Sequence, residues 1–252
     1  MKIALKFAYN GKSFYGYARQ PNLKTVEGEL IKILIKYNII TKDAKESKFR
    51  SASRTDKGVS AFCNIISFDI NKLNDNILEL LSSDLVNIVV YAIAKVESDF
   101  NPRYAKHRQY RYYLNSKDLD IKKIISASSI FTGKHDFSNF ARVEKHRTPI
   151  RAIDNIVFSE LNNFLIIDFF AQTYLWQQVR RIVSALEKVG KNKLEKEQII
   201  EALKNPNKKV DFGIAPAEPL ILKDIVYDFN FKYNRKMLSQ AKKLEQKIIS
   251  QI

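Results

Sequence analysis

A single cysteine, Cys63, in a chain of 252 residues excludes a disulfide framework and a site built from several thiolates. Glycine and proline are scarce, at 7 and 6 residues, too few for a linker-rich or fibrous protein. Long apolar runs are missing as well. The longest, Ile88 to Ala94, is 7 residues, against the ~20 that cross a bilayer. Lys6 interrupts the N-terminal stretch before a signal-peptide core can form. These absences lead to the expectation of a cytoplasmic protein with no membrane partner. The three histidines, His107, His135 and His146, lack metal-ligand spacing from one another and from Cys63, so no metal site is expected. Gly11 and Gly16 have phosphate-loop spacing, but Tyr17-Ala18 follows where Lys-Ser/Thr is required.

Positive charge is abundant. Lys and Arg number 43 against 27 Asp and Glu, a formal net charge of +16, which points to a polyanionic partner, nucleic acid before membrane. Hydrophobic residues make up 45%, enough for a core. The 31 lysines are spread along the chain and are equally explained as solvated surface. Arginine is grouped: 10 of 12 fall into Arg50 and Arg54, Arg103 to Arg111, Arg142 to Arg151, and Arg180-Arg181. Arginine is the cation suited to bidentate phosphate contact.

Periodicity predicts strands over Lys2–Tyr9, Ala61–Ile70, Asn87–Val96, Tyr110–Leu114, Ile153–Phe158, Leu165–Phe170 and Ile225–Phe231. Helices are expected over Val26–Tyr37 behind a Thr25 cap, and over Ile77–Leu81, Ile121–Ile130, Tyr174–Val189, Glu195–Leu203 and Lys236–Ile249. Gly190 is expected as the residue just past the fourth of these helices. The mixture implies an α+β (or α/β) protein with helices over mainly antiparallel sheets. A soft boundary near 114–121 divides it into halves 1–114 and 115–252.

Asp56 is the most suggestive carboxylate. It stands between Arg54 and Lys57, with Gly58 behind it. An aspartate among cations can serve as nucleophile or base, and glycine lets backbone approach a ligand. The same residues also describe an exposed charged turn. In Arg108-Gln109-Tyr110-Arg111-Tyr112, interleaved aromatics and cations suit nucleic acid, or equally a half-buried strand with tyrosine inside. Gly133 to Phe140, with Lys134 and His135, carries the same ambiguity. Arg180-Arg181 falls on a helix whose inward face is expected to include Trp176, Val179 and Val183, placing one arginine at the apolar margin; ordinary snorkelling explains it as well.

Taken in order, these segments resemble the tRNA pseudouridine synthase A family. The matching blocks are Tyr9-Asn10-Gly11-Lys12-Ser13-Phe14-Tyr15-Gly16 with Gln20-Pro21 and Thr25-Val26-Glu27-Gly28; Arg54-Thr55-Asp56-Lys57-Gly58-Val59-Ser60-Ala61; Phe100-Asn101-Pro102-Arg103-Tyr104-Ala105 with Tyr110-Arg111-Tyr112; Gly133 to Phe137; Val179-Arg180; and Ala215-Pro216-Ala217. Tyr17-Ala18, Ser53, Ser60 and Pro219 depart from the family's usual Trp-Gln, Gly, His and Gly.

The resemblance implies a pseudouridine synthase fold of two similar halves meeting at a basic catalytic cleft. It implies a homodimer acting on tRNA without cofactor, at uridines of the anticodon stem-loop (tRNA positions 38–40). Asp56 would be the nucleophile, Tyr110 would stack on the uracil, and Arg180 would pair with Asp56. Arg54, Arg103, Arg108, Arg111, Lys134, His135 and Arg142 would contact RNA or the extruded nucleotide. A non-catalytic RNA-binding module and a nucleic-acid hydrolase remain as alternatives on the residues alone.

Overall fold

The alternation of Lys2–Tyr9 becomes strand β1, the middle of a sheet and buried along its whole length. Ile3, Leu5, Phe7 and Tyr9 are fully buried. Lys2 and Lys6 are buried too, and their ammonium groups reach Asp69 at 3.9 Å and Asp224 at 3.5 Å, because a buried cation needs a partner. The computed structural model describes residues 1–74 and 76–252.

Helix α1 (Val26–Lys36) starts where Thr25 Oγ1 accepts a hydrogen bond from Gly28 N, with Glu27 and Glu29 in its first turn and Lys36 in its last. This charge order suits the helix dipole. After the short β2 (Arg50–Ser51) come β3 (Ser60–Asp69), α2 (Ile77–Asp84) and β4 (Ile88–Val96). The chain then continues into β5 (His107–Asn115), α3 (Ile121–Ser128), β6 (Gly133–Asp136), β7 (Ile150–Ile153), β8 (Asn155–Leu161), β9 (Phe164–Ala171), α4 (Gln178–Gly190) and α5 (Lys196–Lys204). It ends with β10 (Leu220–Val226), β11 (Lys232–Tyr233) and α6 (Arg235–Ile249).

Two units result: Met1–Lys106 together with Ile221–Ile252, and His107–Leu220. This division differs from halves 1–114 and 115–252. The last strands and helix return to the first unit, where β10 runs parallel to β3 and β11 pairs with β4. A composition change along the chain carries no trace of such a return.

The first unit's strands run β11-β4-β1-β3-β10, with β2 also on β3. All pairings except β10 with β3 are antiparallel. In the second unit β5, β9 and β8 form an antiparallel run, and β6 pairs with β7. The expected α+β class with mainly antiparallel sheets flanked by helices is what the chain adopts.

Several local expectations change. Helix α4 begins at Gln178, not Tyr174. Gln177 takes φ 64°, and Arg142 N donates to Trp176 O at 2.8 Å, so a backbone bridge occupies the place of the first turn. Trp176 consequently points outward, 43% exposed. Gly190 closes α4 from within the helix. A Cβ there would lie 2.7 Å from Ile124 Cδ1, so the glycine serves the packing of α3 on α4; the left-handed residue beyond it is Asn192. Finally, Gly133–Asp136 is a strand, Ile153–Phe158 is split between β7 and β8, and the strand expected over Ile225–Phe231 lies earlier, at Leu220–Val226.

Candidate active site

In the first unit, the Asp56 segment is an irregular turn between β2 and β3, held by the loop after β1. Tyr17 N donates to Thr55 O at 3.2 Å, and Val59 N to Asp56 O at 3.2 Å. The hydroxyls of Tyr9 and Thr55 lie 2.8 Å apart, and Gly11 N donates to Ser60 Oγ at 2.9 Å. Gly11 has a steric reason to be glycine: a Cβ would sit 2.2 Å from Val59 O, a backbone atom. Gly58 takes φ +87°, a region that disfavours side chains. Beneath the turn, Tyr17 donates to Ser51 Oγ at 2.7 Å and Asn64 Nδ2 to Ser53 O at 2.9 Å. Burial pushes the Tyr17 phenol well above its ordinary pKa, so it stays a donor.

Most of the braces involve the backbone, and the side chains of Arg54 and Lys57 face outward. Asp56 is half-buried, while Arg54 and Lys57 are exposed. The Lys57 ammonium lies over the Tyr15 ring, 4.6 Å from its centroid. A braced turn that holds a carboxylate among cations can attack or deprotonate a bound group. Arg103, also in this unit, is exposed in the turn before β5.

In the second unit, β5 places Tyr110 and Tyr112 on one face and Gln109 and Arg111 on the other. Tyr110 is half-buried and meets the Tyr174 ring edge to face at 5.1 Å. Tyr112, on the same face, is buried and donates to Pro216 O at 3.2 Å; burial raises its pKa, opposed by the charge of Arg180. Arg180 itself is fixed on α4. Its Nε donates to Ala215 O at 2.8 Å, and Ala215 N donates back to Arg180 O at 3.1 Å. The Ala215-Pro216-Ala217 block thereby receives a role, holding both Arg180 and Tyr112.

Gln178 Oε1 accepts from Leu175 N at 2.8 Å, which orients its amide. Its Nε2 is buried without a hydrogen-bond partner among the described residues. Arg181 turns to Asp211 at 3.0 Å, so the two neighbouring arginines are separated by their partners.

The remaining predicted RNA contacts divide. Arg111 makes a bidentate pair with Asp168, Nε to Oδ1 at 2.9 Å and Nη2 to Oδ2 at 2.8 Å. Gln109 adds a third donor to the same carboxylate. Arg108 is 5% exposed, and its guanidinium donates to Gln172 O. Both arginines are therefore used within the second unit. Lys134 and His135 lie on β6, Lys134 exposed and His135 Nε2 2.9 Å from Thr132 O. Arg142 is exposed, its guanidinium stacked 4.3 Å from the centroid of the Trp176 ring.

Sequence reasoning missed Asp168 as the anchor of Arg111 and Tyr174 as the neighbour of Tyr110. Register alone could have found the first, because Arg111 and Asp168 are directly opposite on β5 and β9. No group of His, Cys, Asp and Glu able to hold a metal occurs among the described residues. Nor is any helix among them long and apolar enough to cross a membrane.

The family profile described as tRNA pseudouridine synthase matches residues 127–228. A tRNA pseudouridine synthase A from Pyrococcus abyssi is 43% identical over 249 residues, covering 96% of this chain and 91% of the relative. That of Thermococcus gammatolerans is 42% identical, covering 96% and 91%; that of Thermococcus sibiricus is 42% identical, covering 90% and 85%. Among solved structures, a Cbf5-Nop10-Gar1 complex overlaps 73% of this chain and 45% of its own at 14% identity, with a TM-score of 0.37, too low to bear on function.

Proposed function

This chain belongs to the tRNA pseudouridine synthase A family, and on that premise we propose that it isomerises uridine to pseudouridine in tRNA, with Asp56 as nucleophile. The observation that carries the reading is the Asp56 turn, braced at the backbone by Gly11, Tyr17 and Ser60. It lies in a chain 40–43% identical to several proteins named for that reaction.

The chemistry is an exchange within one nucleotide. The N1–C1′ glycosidic bond breaks, the base turns, a C5–C1′ bond forms, and the C5 proton is lost as N1 gains one. Asp56 attacks the substrate nucleotide and leaves at the end, so no atom of the enzyme is consumed. Tyr110, held edge-on by Tyr174, stacks on the uracil and is placed to take part in removing the C5 proton. Arg180, tied to Ala215, is a positioning residue for the catalytic centre. A uridine inside a stem must first be extruded, at about a few kcal/mol of unstacking, and contacts from exposed cations such as Arg54, Arg103, Lys134 and Arg142 offset that cost. Arg108 and Arg111 are left out of these contacts because internal acceptors already engage their guanidinium groups. The anticodon stem-loop is the expected substrate region, and a cytoplasmic homodimer the expected form.

Pseudouridine mapping on unmodified tRNA transcripts tests the proposal. Wild type should form product in the anticodon stem-loop without an added cofactor, and Asp56→Ala should form none while still binding tRNA. Binding without any product from wild type would leave an RNA-binding module, and cleaved or abasic RNA a hydrolase.

A further inference from the structure

Helix α6 carries charge in an arrangement that its own stability does not favour. Its exposed positions hold Arg235, Lys236, Lys242, Lys243 and Lys247; the other exposed positions of the helix are Ser239, Gln240 and Gln246. The one acid in the helix, Glu245, is turned inward and paired with Lys223. At the N-terminal end Glu79 accepts a hydrogen bond from the Asn234 amide at 3.3 Å, and at the other end Lys12 Nζ donates to Gln251 O at 2.8 Å.

Two of the five cations, Arg235 and Lys236, occupy the first turn, which has no acid. There they oppose the helix dipole. Lys243 and Lys247 stand four residues apart on the same side, a like-charge pair that weakens a helix. Helices α1 and α5 place glutamate in the first turn, whereas α6, like α3 and α4, has no acid there; all of α1, α5 and α6 carry lysine in the last turn. First-turn cations and a like-charge pair that cost local stability, gathered on one face, point to a partner for that face.

We propose that the outward face of α6 is a docking surface for the phosphate backbone of tRNA, separate from the residues assigned to the chemistry; the identity of the RNA rests on the function proposed above. From Arg235 to Lys247 the row spans ~18 Å at 1.5 Å per residue, enough to meet several phosphates. An amphipathic basic helix also suits an anionic membrane, but here the apolar side is already used. Met237, Ala241 and Ile248 are buried, and α6 packs on β4, β1 and β3. What it presents outward is charge without an apolar wedge, which matches a phosphate backbone.

The test is a salt titration of tRNA binding by the full-length protein carrying Lys236→Gln, Lys243→Gln and Lys247→Gln together, with Lys236→Glu as a second variant. The triple variant should bind tRNA about tenfold or more weakly at low salt. Its log–log salt slope should fall by about two to three, near one per phosphate contact removed. Lys236→Glu should bind more weakly while its thermal midpoint rises, since an acid in the first turn suits the dipole. Unchanged affinity and slope in folded variants overturn the proposal. So does loss of binding to phosphatidylserine vesicles with tRNA binding intact. Wild type that binds tRNA with the expected α6 dependence but forms no pseudouridine would overturn the enzymatic function and leave this surface standing.

Discussion

The rings of Tyr110 and Tyr174 meet edge to face, with centroids 5.1 Å apart and planes at 88°. Such a contact contributes about 0.5–1.5 kcal/mol beyond area burial, and here it fixes the orientation of the ring assigned to the uracil. Tyr174→Phe preserves the edge and should keep single-turnover rates within about twofold. Tyr174→Ala removes it and should lower the rate about tenfold with little change in tRNA affinity. Equal losses of rate and affinity, or failure of phenylalanine to restore the rate, would remove Tyr174 from that positioning role.

Arg111 and Asp168 predict the opposite behaviour. Asp168→Ala strands a guanidinium that is three-quarters buried and should cost about 2–3 kcal/mol in urea unfolding, below the range for a fully buried pair because part of it is solvated. The apolar double variant Arg111→Met with Asp168→Leu should recover most of that loss. Because Arg111 is engaged within its own unit, Arg111→Gln should leave the salt slope of tRNA binding unchanged. A slope reduced by about one would return it to the phosphate contacts.

How much of this was visible in the amino acids depends on the range of the interaction. Local periodicity found β1 at Lys2–Tyr9 and the Thr25 cap of α1, since both are decided within a turn or a strand. Trp176 was misplaced because a bridge to Arg142, 34 positions away, outweighed helix propensity at Tyr174–Gln177. Arginine clustering drew attention to Arg108 and Arg111, but clustering does not distinguish a guanidinium facing solvent from one held by Asp168 across a sheet. The prominence of Asp56 in the sequence came from its charged neighbours. Its bracing depends on Gly11, 45 residues earlier, whose importance is a matter of backbone contact and leaves no mark on composition.

Gly11 gives a third prediction. A methyl group 2.2 Å from Val59 O cannot be absorbed by a side-chain rotation, because the obstructing atom is backbone. Gly11→Ala should move the turn carrying Asp56 and reduce turnover by about 100-fold or more, as misplacements of about 1 Å do, at a stability loss of about 1–3 kcal/mol. Gly28→Ala is the control. Its obstruction is the Thr25 hydroxyl at 2.8 Å, so it should loosen the α1 cap while sparing turnover far more than Gly11→Ala does.

Cys63 gives the fourth, through pH. Burial pushes its thiol up to about 12, despite the nearby Lys6 ammonium. In the unfolded chain the thiol ionises near its ordinary value of about 8.5. Between those values the unfolded state holds fewer protons than the folded state, so stability is full below about 8.5 and falls as pH rises toward 12. The buried phenols of Tyr17, Tyr91 and Tyr174 are shifted in the same direction, but their unfolded values near 10 place their effect higher. The interval from about 8.5 to 10 therefore reports mainly on Cys63. Urea midpoints should decline across it in wild type and stay flatter in Cys63→Ala, although the alanine variant starts lower because a buried side chain has been trimmed. Alkylation of Cys63 by iodoacetamide at pH 9 should proceed only at the rate of opening. Rapid alkylation of the folded protein, or equal declines in both proteins, would place the ionising group elsewhere.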